Sequence, residues 1–384
     1  MPEGRRRAAV VLASIVVVLL FAACGGGTPA AKVTTNGTTN GTSTWIAQKL
    51  PPGTDTLNGV SCPTSVHCWV VGTSSSGGGA ILAGSAGANT WSPQHVPTAA
   101  KVVGFGGVSC PTTNNCWAVG ATSINTGAVV STTDGGTTWS AQTVPRAVNL
   151  LNGALATGLY ALRGVSCPTT SDCWAVGATS ANTGAILSTT DGGTTWVAQV
   201  IPNGISLLNG VSCPTARDCW AVGATSTNTG AVLATTDGGT TWIAQTLPSR
   251  IAQTLPSGLY ALNSVSCPTT GDCRAVGASS SNAAVAMSTT DGGTTWIAQG
   301  IPNGISLLNG VSCPPGGDCR AVGADSSKRE TIVVAAHGDT TWSTQRVPGG
   351  ISLLYGVSCS TRSACIAVGT TQSNVGAVLA TSSG

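Results

Sequence analysis

Fourteen of the 15 cysteines fall into seven pairs of one spacing, Cys-x5-Cys: Cys62/Cys68, Cys110/Cys116, Cys167/Cys173, Cys213/Cys219, Cys267/Cys273, Cys313/Cys319 and Cys359/Cys365. Two chemistries compete for such pairs. Thiolates bind zinc, but zinc wants four ligands and only His67, His95 and His337 exist to supplement them, so no metal site is expected. Paired cysteines in an exported chain read instead as disulfides, each clipping a short loop for roughly 2 kcal/mol in the chain-entropy model. The remaining reactive inventory is thin. Beyond residue 24 there is one glutamate, Glu330, beside Lys328 and Arg329, and the three tyrosines are Tyr160, Tyr260 and Tyr355. No Ser-His-Asp signature, phosphate loop or cofactor motif accompanies them, so neither an enzyme nor a cofactor is expected.

What positions the cysteines is a repeat. The segment Ser188 to Gln199, STTDGGTTWVAQ, recurs nearly unchanged from Ser131, Ala234 and Ser288. Asp-Gly-Gly between a β-branched run and Thr-Thr-Trp reads as a hairpin turn, because glycine supplies positive φ and aspartate bonds its own backbone. The full unit is clearest from Leu208 to Pro248: LNGVSC, PTARD, CWAVGAT, STNTG, AVLATTDGG, TTWIAQTLP. Cysteine pairs begin at 62, 110, 167, 213, 267, 313 and 359, and the two long steps hold insertions just before a unit's first strand. One is RAVNLLNGALATGLYALRG; the other repeats IAQTLPS from Ile243 at Ile251.

Each unit reads as four short strands, and four antiparallel strands per 40 to 50 residues is the signature of a propeller blade. The expected fold is all-β, a seven-bladed β-propeller of four-stranded antiparallel blades. Thr44 to Gln48 is a fourth strand with no first three, and Gly376 to Ser382 is a third strand with no fourth. The N-terminal strand is therefore expected to complete the last blade, which removes exposed edges. Only 8% of residues are charged, with a net charge of +3, which disfavours nucleic acid as a partner.

Arg5, Arg6 and Arg7 precede an apolar run from Ala8 to Ala23, short for a membrane span and flanked like an export signal. Phe21-Ala22-Ala23-Cys24 resembles the end of a bacterial lipoprotein signal, which implies cleavage before Cys24 and lipidation of that odd cysteine. Phe21 stands where such signals usually carry Leu or Val. The expected organisation is a signal over 1–23, the lipidated cysteine and a flexible Gly/Thr-rich tether over 24–43, and the propeller over 44–384. That places the protein at the outer face of a bacterial membrane, as a monomer.

STTDGGTTW resembles the Asp-box, or bacterial neuraminidase repeat, and the array is similar to Asp-box propellers such as the photosystem II assembly and stability factors. Asp134, Asp191, Asp237 and Asp291 match the box aspartate; SAGANTW from Ser85 and AHGDTTW from Ala336 depart from it. The resemblance implies that these aspartates and the box tryptophans build turns away from the ligand face. Sialidases also carry such boxes, but their catalysis needs an arginine cluster, a tyrosine-glutamate pair and an acid/base aspartate, and nothing in this sequence assembles them. Trp69, Trp117, Trp174 and Trp220 follow the second cysteine and are expected to pack between blades. Arg274 and Arg320 stand at that position in two blades, after Asp272 and Asp318, as expected ion pairs on a rim.

Ligands of propellers gather at the mouth of the central channel, and concave mouths are the default site. Four residues before each first cysteine stand Asn58, Gly106, Arg163, Asn209, Asn263, Asn309 and Tyr355, which should ring that mouth. Three residues further back, Tyr160 and Tyr260 replace the serines of other blades. Such a rim suits a polar ligand, whether a protein or peptide partner or a glycan. Asparagine before glycine is also ordinary turn chemistry. The function expected is a binding or assembly scaffold at the cell envelope, with a glycan-binding module or a sialidase-like hydrolase as alternatives.

Overall fold

Each four-strand unit closes on itself as one sheet, and the seven sheets form a ring. The computed structural model describes residues 44–85, 88–145, 147–148, 157–247 and 258–381. The expected signal, Cys24, the tether and parts of both insertions lie outside the described residues. We number blades 1 to 7 by their cysteine pairs. Blade 4 is representative: Ile205–Ser212, Cys219–Thr225, Gly230–Thr235 and Ile243–Ala244 pair in that order, antiparallel throughout. Blade 3 differs from expectation, because Ala147–Val148 from the longer insertion pairs with its inner strand as a fifth strand.

The second and third strands are covered on both faces, which explains their unbroken apolar runs; the outer strands are two to six residues long and mostly exposed. The core is accordingly divided into seven clusters between neighbouring blades. In one, Trp174, Val176 and Ile186 of blade 3 meet Leu208, Val211 and Leu233 of blade 4. In another, Leu57, Val70 and Leu82 of blade 1 meet Ile366, Val368 and Val378 of blade 7, so the ring is closed. Trp45–Ala47 pairs with Gly376–Thr381 in the register Trp45 to Thr381, and the Trp45 indole donates to Gln345 Oε1 of blade 6 at 2.9 Å. The N-terminal strand therefore does complete the last blade.

All seven cysteine pairs are disulfides: Cys62 with Cys68, Cys110 with Cys116, Cys167 with Cys173, Cys213 with Cys219, Cys267 with Cys273, Cys313 with Cys319, and Cys359 with Cys365. Seven disulfides fit an oxidising, extracellular environment. Each closes the short loop between its two cysteines, as expected, and the surroundings add a second role. Cys116, Cys173, Cys219, Cys273, Cys319 and Cys365 each open a second strand, and Cys68 is the second residue of its own. Those strands are covered on both faces, so these seven second cysteines are buried rather than displayed on the loops they close. Each disulfide belongs to one of the seven inter-blade clusters, and the sulfurs serve as core as well as cross-link.

The serine before each first cysteine accepts a hydrogen bond from the backbone N–H of the first cysteine in the next blade. Cys110 N–H reaches Ser61 Oγ at 3.0 Å, and the series runs through every blade to Cys62 N–H on Ser358 Oγ at 3.1 Å. A closed belt of seven inter-blade bonds results.

Strand direction sorts the loops onto two faces. The disulfide loops share one face with the Asp-Gly-Gly turns, as the bond from Gly238 N–H to Arg217 O at 3.0 Å shows. The connections into the inner strands share the other face with the turns between second and third strands, tied by Ser226 N–H to Gly204 O at 2.8 Å. We call these the turn face and the mouth face. In the four Asp-Gly-Gly turns the aspartate Oδ1 accepts the N–H of the threonine four residues on, at 2.9 Å, and the Oγ1 of the threonine two residues before the aspartate accepts the second glycine's N–H.

Under each of those turns lies a tryptophan from the previous blade. A Cβ built on Gly136, Gly193, Gly239 or Gly293 would sit 3.0 to 3.2 Å from the indole nitrogen of Trp69, Trp117, Trp174 or Trp220 respectively. Blades 6, 7 and 1 lack the turn, and the residues facing them from blades 5, 6 and 7 are Arg274, Arg320 and Ile366. Tryptophan is thus used where an Asp-Gly-Gly turn covers it. Arg274 is buried and pairs with Asp272 at 3.6 Å. Arg320 is also buried and donates to Arg362 O at 2.8 Å, while Asp318 forms its short pair with Arg362 of blade 7, at 2.8 Å.

Candidate functional site

Around the ring axis runs a channel of about 190 Å³, lined by the same three positions of every blade, from Asn58-Gly59-Val60 in blade 1 to Tyr355-Gly356-Val357 in blade 7. The seven residues aligned from the sequence are brought together there. They reach it because each is the extra residue of a β-bulge: the inner-strand register skips it in all seven blades, as between Leu208 and Gly210. The residue that follows is Ser264 in blade 5 and, in the other six blades, a glycine packed against the next blade's backbone. An added Cβ on Gly356 would lie 2.8 Å from Asn58 O, and one on Gly310 2.8 Å from Tyr355 O.

The asparagines are engaged with the frame. Asn58 Nδ2 donates to Phe105 O of the next blade at 2.9 Å, and Asn209, Asn263 and Asn309 bond Leu262 O, Leu308 O and Leu354 O at 2.8 to 2.9 Å. Each is an inter-blade clamp as well as a channel residue. The clamp is missing at the three other positions. Gly106 has no side chain, Tyr355 bonds Thr370 of its own blade, and Arg163 has no hydrogen-bond or ion-pair partner among the described residues. Burial lowers the Arg163 pKa and raises that of the Tyr355 phenol.

Tyr160 and Tyr260 occupy a second bulge three residues nearer the mouth, between Leu159 and Ala161 and between Leu259 and Ala261. They do not line the channel cavity. Tyr160 is half-buried and is the titratable group that acts on Arg163, whereas Tyr260 is 36% exposed. Among the described residues no carboxylate lines the channel. Glu330 begins the third strand of blade 6 opposite Ala324. The disulfide sulfurs take no part in the site: Cys116, Cys173, Cys219, Cys273, Cys319 and Cys365 are buried between blades, and no cysteine lines the channel. Among the described residues no cluster of three or more His, Cys, Asp or Glu could hold a metal ion.

Sequence reasoning missed the bulges, the serine belt, the burial of the second cysteines and the different fates of the ring residues. The serine before every first cysteine was the available signal for the belt.

No protein-family model matches the chain, and no curated protein matches it. Solved structures do. The chain is similar to YCF48 bound to D1 peptide at 18% identity and a TM-score of 0.55, over 88% of this chain and 97% of that one. It is similar to the WD40 propeller domain of Doa1 at 8% identity and a TM-score of 0.57, over 89% and 97%. It is also similar to the Niastella koreensis GH74 enzyme at 15% identity and a TM-score of 0.59, over 84% of this chain but only 52% of that one. At these identities the likeness is one of fold.

Proposed function

We propose that this seven-bladed propeller is a non-catalytic binding or assembly scaffold that receives its partner at the mouth of the central channel. One observation carries the reading: four of the seven ring positions clamp neighbouring blades, while the Arg163 guanidinium, in the same ring, has no partner among the described residues. A side chain kept only for the frame would bond the frame. The similarity to a propeller bound to a peptide and to a WD40 domain supports a scaffold, and the lack of a carboxylate among the described channel residues speaks against hydrolysis. We read the four Asp-Gly-Gly turns as Asp-boxes with a structural role. The export signal, lipidation at Cys24 and a place at the outer face of a bacterial membrane belong to the same proposal, supported by the disulfides. The exposed ring of Tyr260 favours a glycan as the second reading, through stacking.

The test is binding of the oxidised full-length protein to peptide and glycan arrays. A ligand lost in the Tyr160→Ala/Tyr260→Ala double variant and kept in Arg217→Ala, which lies on the turn face, is the expected result. Ligands indifferent to the mouth substitutions, or none at all, would end the reading. Turnover of a fluorogenic sialoside that disappears on changing Tyr160 or Tyr260 would overturn the non-enzymatic part.

A further inference from the structure

Charge is divided between the two faces of the ring. The turn face carries the four turn aspartates, the loop carboxylates Asp172, Asp218, Asp272 and Asp318, and Asp339, against four cations, Arg217, Arg274, Arg320 and Arg362. The mouth side reverses the balance. Among the described residues it has Lys49, Lys101, Arg163, Lys328, Arg329 and Arg346 against Asp55, Asp325 and Glu330. Arg329 is held by Asp325 at 3.1 Å, which leaves two carboxylates facing five cations. A net charge of only +3 conceals this polarity.

We infer that the mouth accepts an acidic polypeptide segment, with a carboxylate of that segment pairing with the Arg163 guanidinium inside the channel. The inference rests on the binding reading above and names the chemistry of the ligand. Three observations converge on it. First, no carboxylate among the described residues pairs with Arg163. Of the chain's 13 acidic residues only Glu3 lies outside the described residues, and none of the other 12 forms an ion pair with Arg163. A guanidinium offers five N–H donors and keeps its charge, so one held in a confined channel without a carboxylate calls for one from outside. Second, the path to it is one-sided. From the mouth an anion passes cationic surface; from the turn face it would meet net negative charge and then the valine level of the channel, Val60 through Val357. Third, the channel offers what a polypeptide uses. Its walls are backbone of bulged strands and asparagine amides, with Tyr355 the one aromatic residue among its described lining.

The experiment is fluorescence anisotropy with the oxidised full-length protein and a fluorescein-labelled hexaglutamate peptide. Hexalysine and an oligogalacturonate of matched charge are the comparison probes. Expected is saturable binding of hexaglutamate that weakens with added salt, falls about tenfold or more on Arg163→Gln, recovers in part with Arg163→Lys, and is unchanged in Arg217→Gln. Because Arg163 has no partner among the described residues, Arg163→Gln should melt no lower than wild type, which keeps a folding defect from imitating the result. Equal affinity of wild type and Arg163→Gln, no binding of hexaglutamate, or tighter binding of the oligogalacturonate would each overturn the inference. If hexaglutamate fails while an array ligand still depends on the mouth tyrosines, only the acidic-peptide inference falls. If no ligand depends on the mouth, the binding reading falls with it.

Discussion

Trp45 lies far from the rest of its blade in sequence and is the residue by which the ring is fastened, so Trp45→Ala tests the architecture at one side chain. The indole is 2% exposed and packs with Ile351, Leu354 and Leu379 of blade 7 and with Ile332 of blade 6. Removing a buried tryptophan costs about 3 to 5 kcal/mol. The lost bond to Gln345 Oε1, which would leave that acceptor in a partly buried site, adds about 1 kcal/mol. A total loss of about 4 to 6 kcal/mol is expected, large against the stability of an ordinary domain. Trp45→Phe should keep most of the packing and cost about 1 to 2 kcal/mol. The assay is urea unfolding of the oxidised protein followed by far-UV circular dichroism, with Trp196→Ala as comparator. Trp196 is an equally buried tryptophan in the middle of the chain and should cost a similar amount. A loss below about 1 kcal/mol for Trp45→Ala, beside a full loss for Trp196→Ala, would refute closure by the N-terminal strand.

The four turn aspartates have pKa values lowered to about 2, chiefly by the hydroxyl of the threonine four residues on. Their folded values lie below the ordinary carboxylate value, so the stability they add is complete above about pH 4 and is lost as pH falls through 2. Thermal melts should therefore drop between pH 4 and 2, and Asp291→Asn should flatten that drop; an unchanged profile would count against the turn bonds. Gly356→Ala places a Cβ 2.8 Å from Asn58 O and should cost about 1 to 3 kcal/mol by urea unfolding, whereas a neutral result would show that the blades can part at the channel. Ser212→Ala removes one bond of the serine belt and leaves Cys267 N–H without its acceptor; about 1 kcal/mol is expected in the same assay, and no loss would mean the belt is incidental.

The cysteine pairs and the displaced Trp45 strand were enough to read blade number and closure, because both are matters of counting along the chain. The ring of channel positions was legible for the same reason, since aligning on the first cysteine aligns the bulges. What each ring residue does there was not. Asn209 and Asn309 look like free amides in sequence, and only the register shows their Nδ2 groups on Leu262 O and Leu354 O. The spacing of Cys173 from Cys167 likewise gave the bond but not its burial, which depends on the neighbouring blade that covers the second strand. The exchange of Trp220 for Arg274 was visible but had no meaning until the ring order put Arg274 beneath a blade without an Asp-Gly-Gly turn. Asp318 illustrates the limit from another side. Two residues of separation suggested Arg320 as its partner, and Arg320 does act on that carboxylate, but the short bond comes from Arg362, 44 residues away.

The pairing of Trp45 with Thr381 has a further consequence for handling and display. The N-terminal strand starts, and the third strand of blade 7 stops, at the turn face. A label, an affinity handle or a bead attached through either flank is therefore joined to the back of the disc. Immobilised by either flank, the protein leaves its basic opening accessible from solution, and a sensor surface made this way should lose little capacity to orientation.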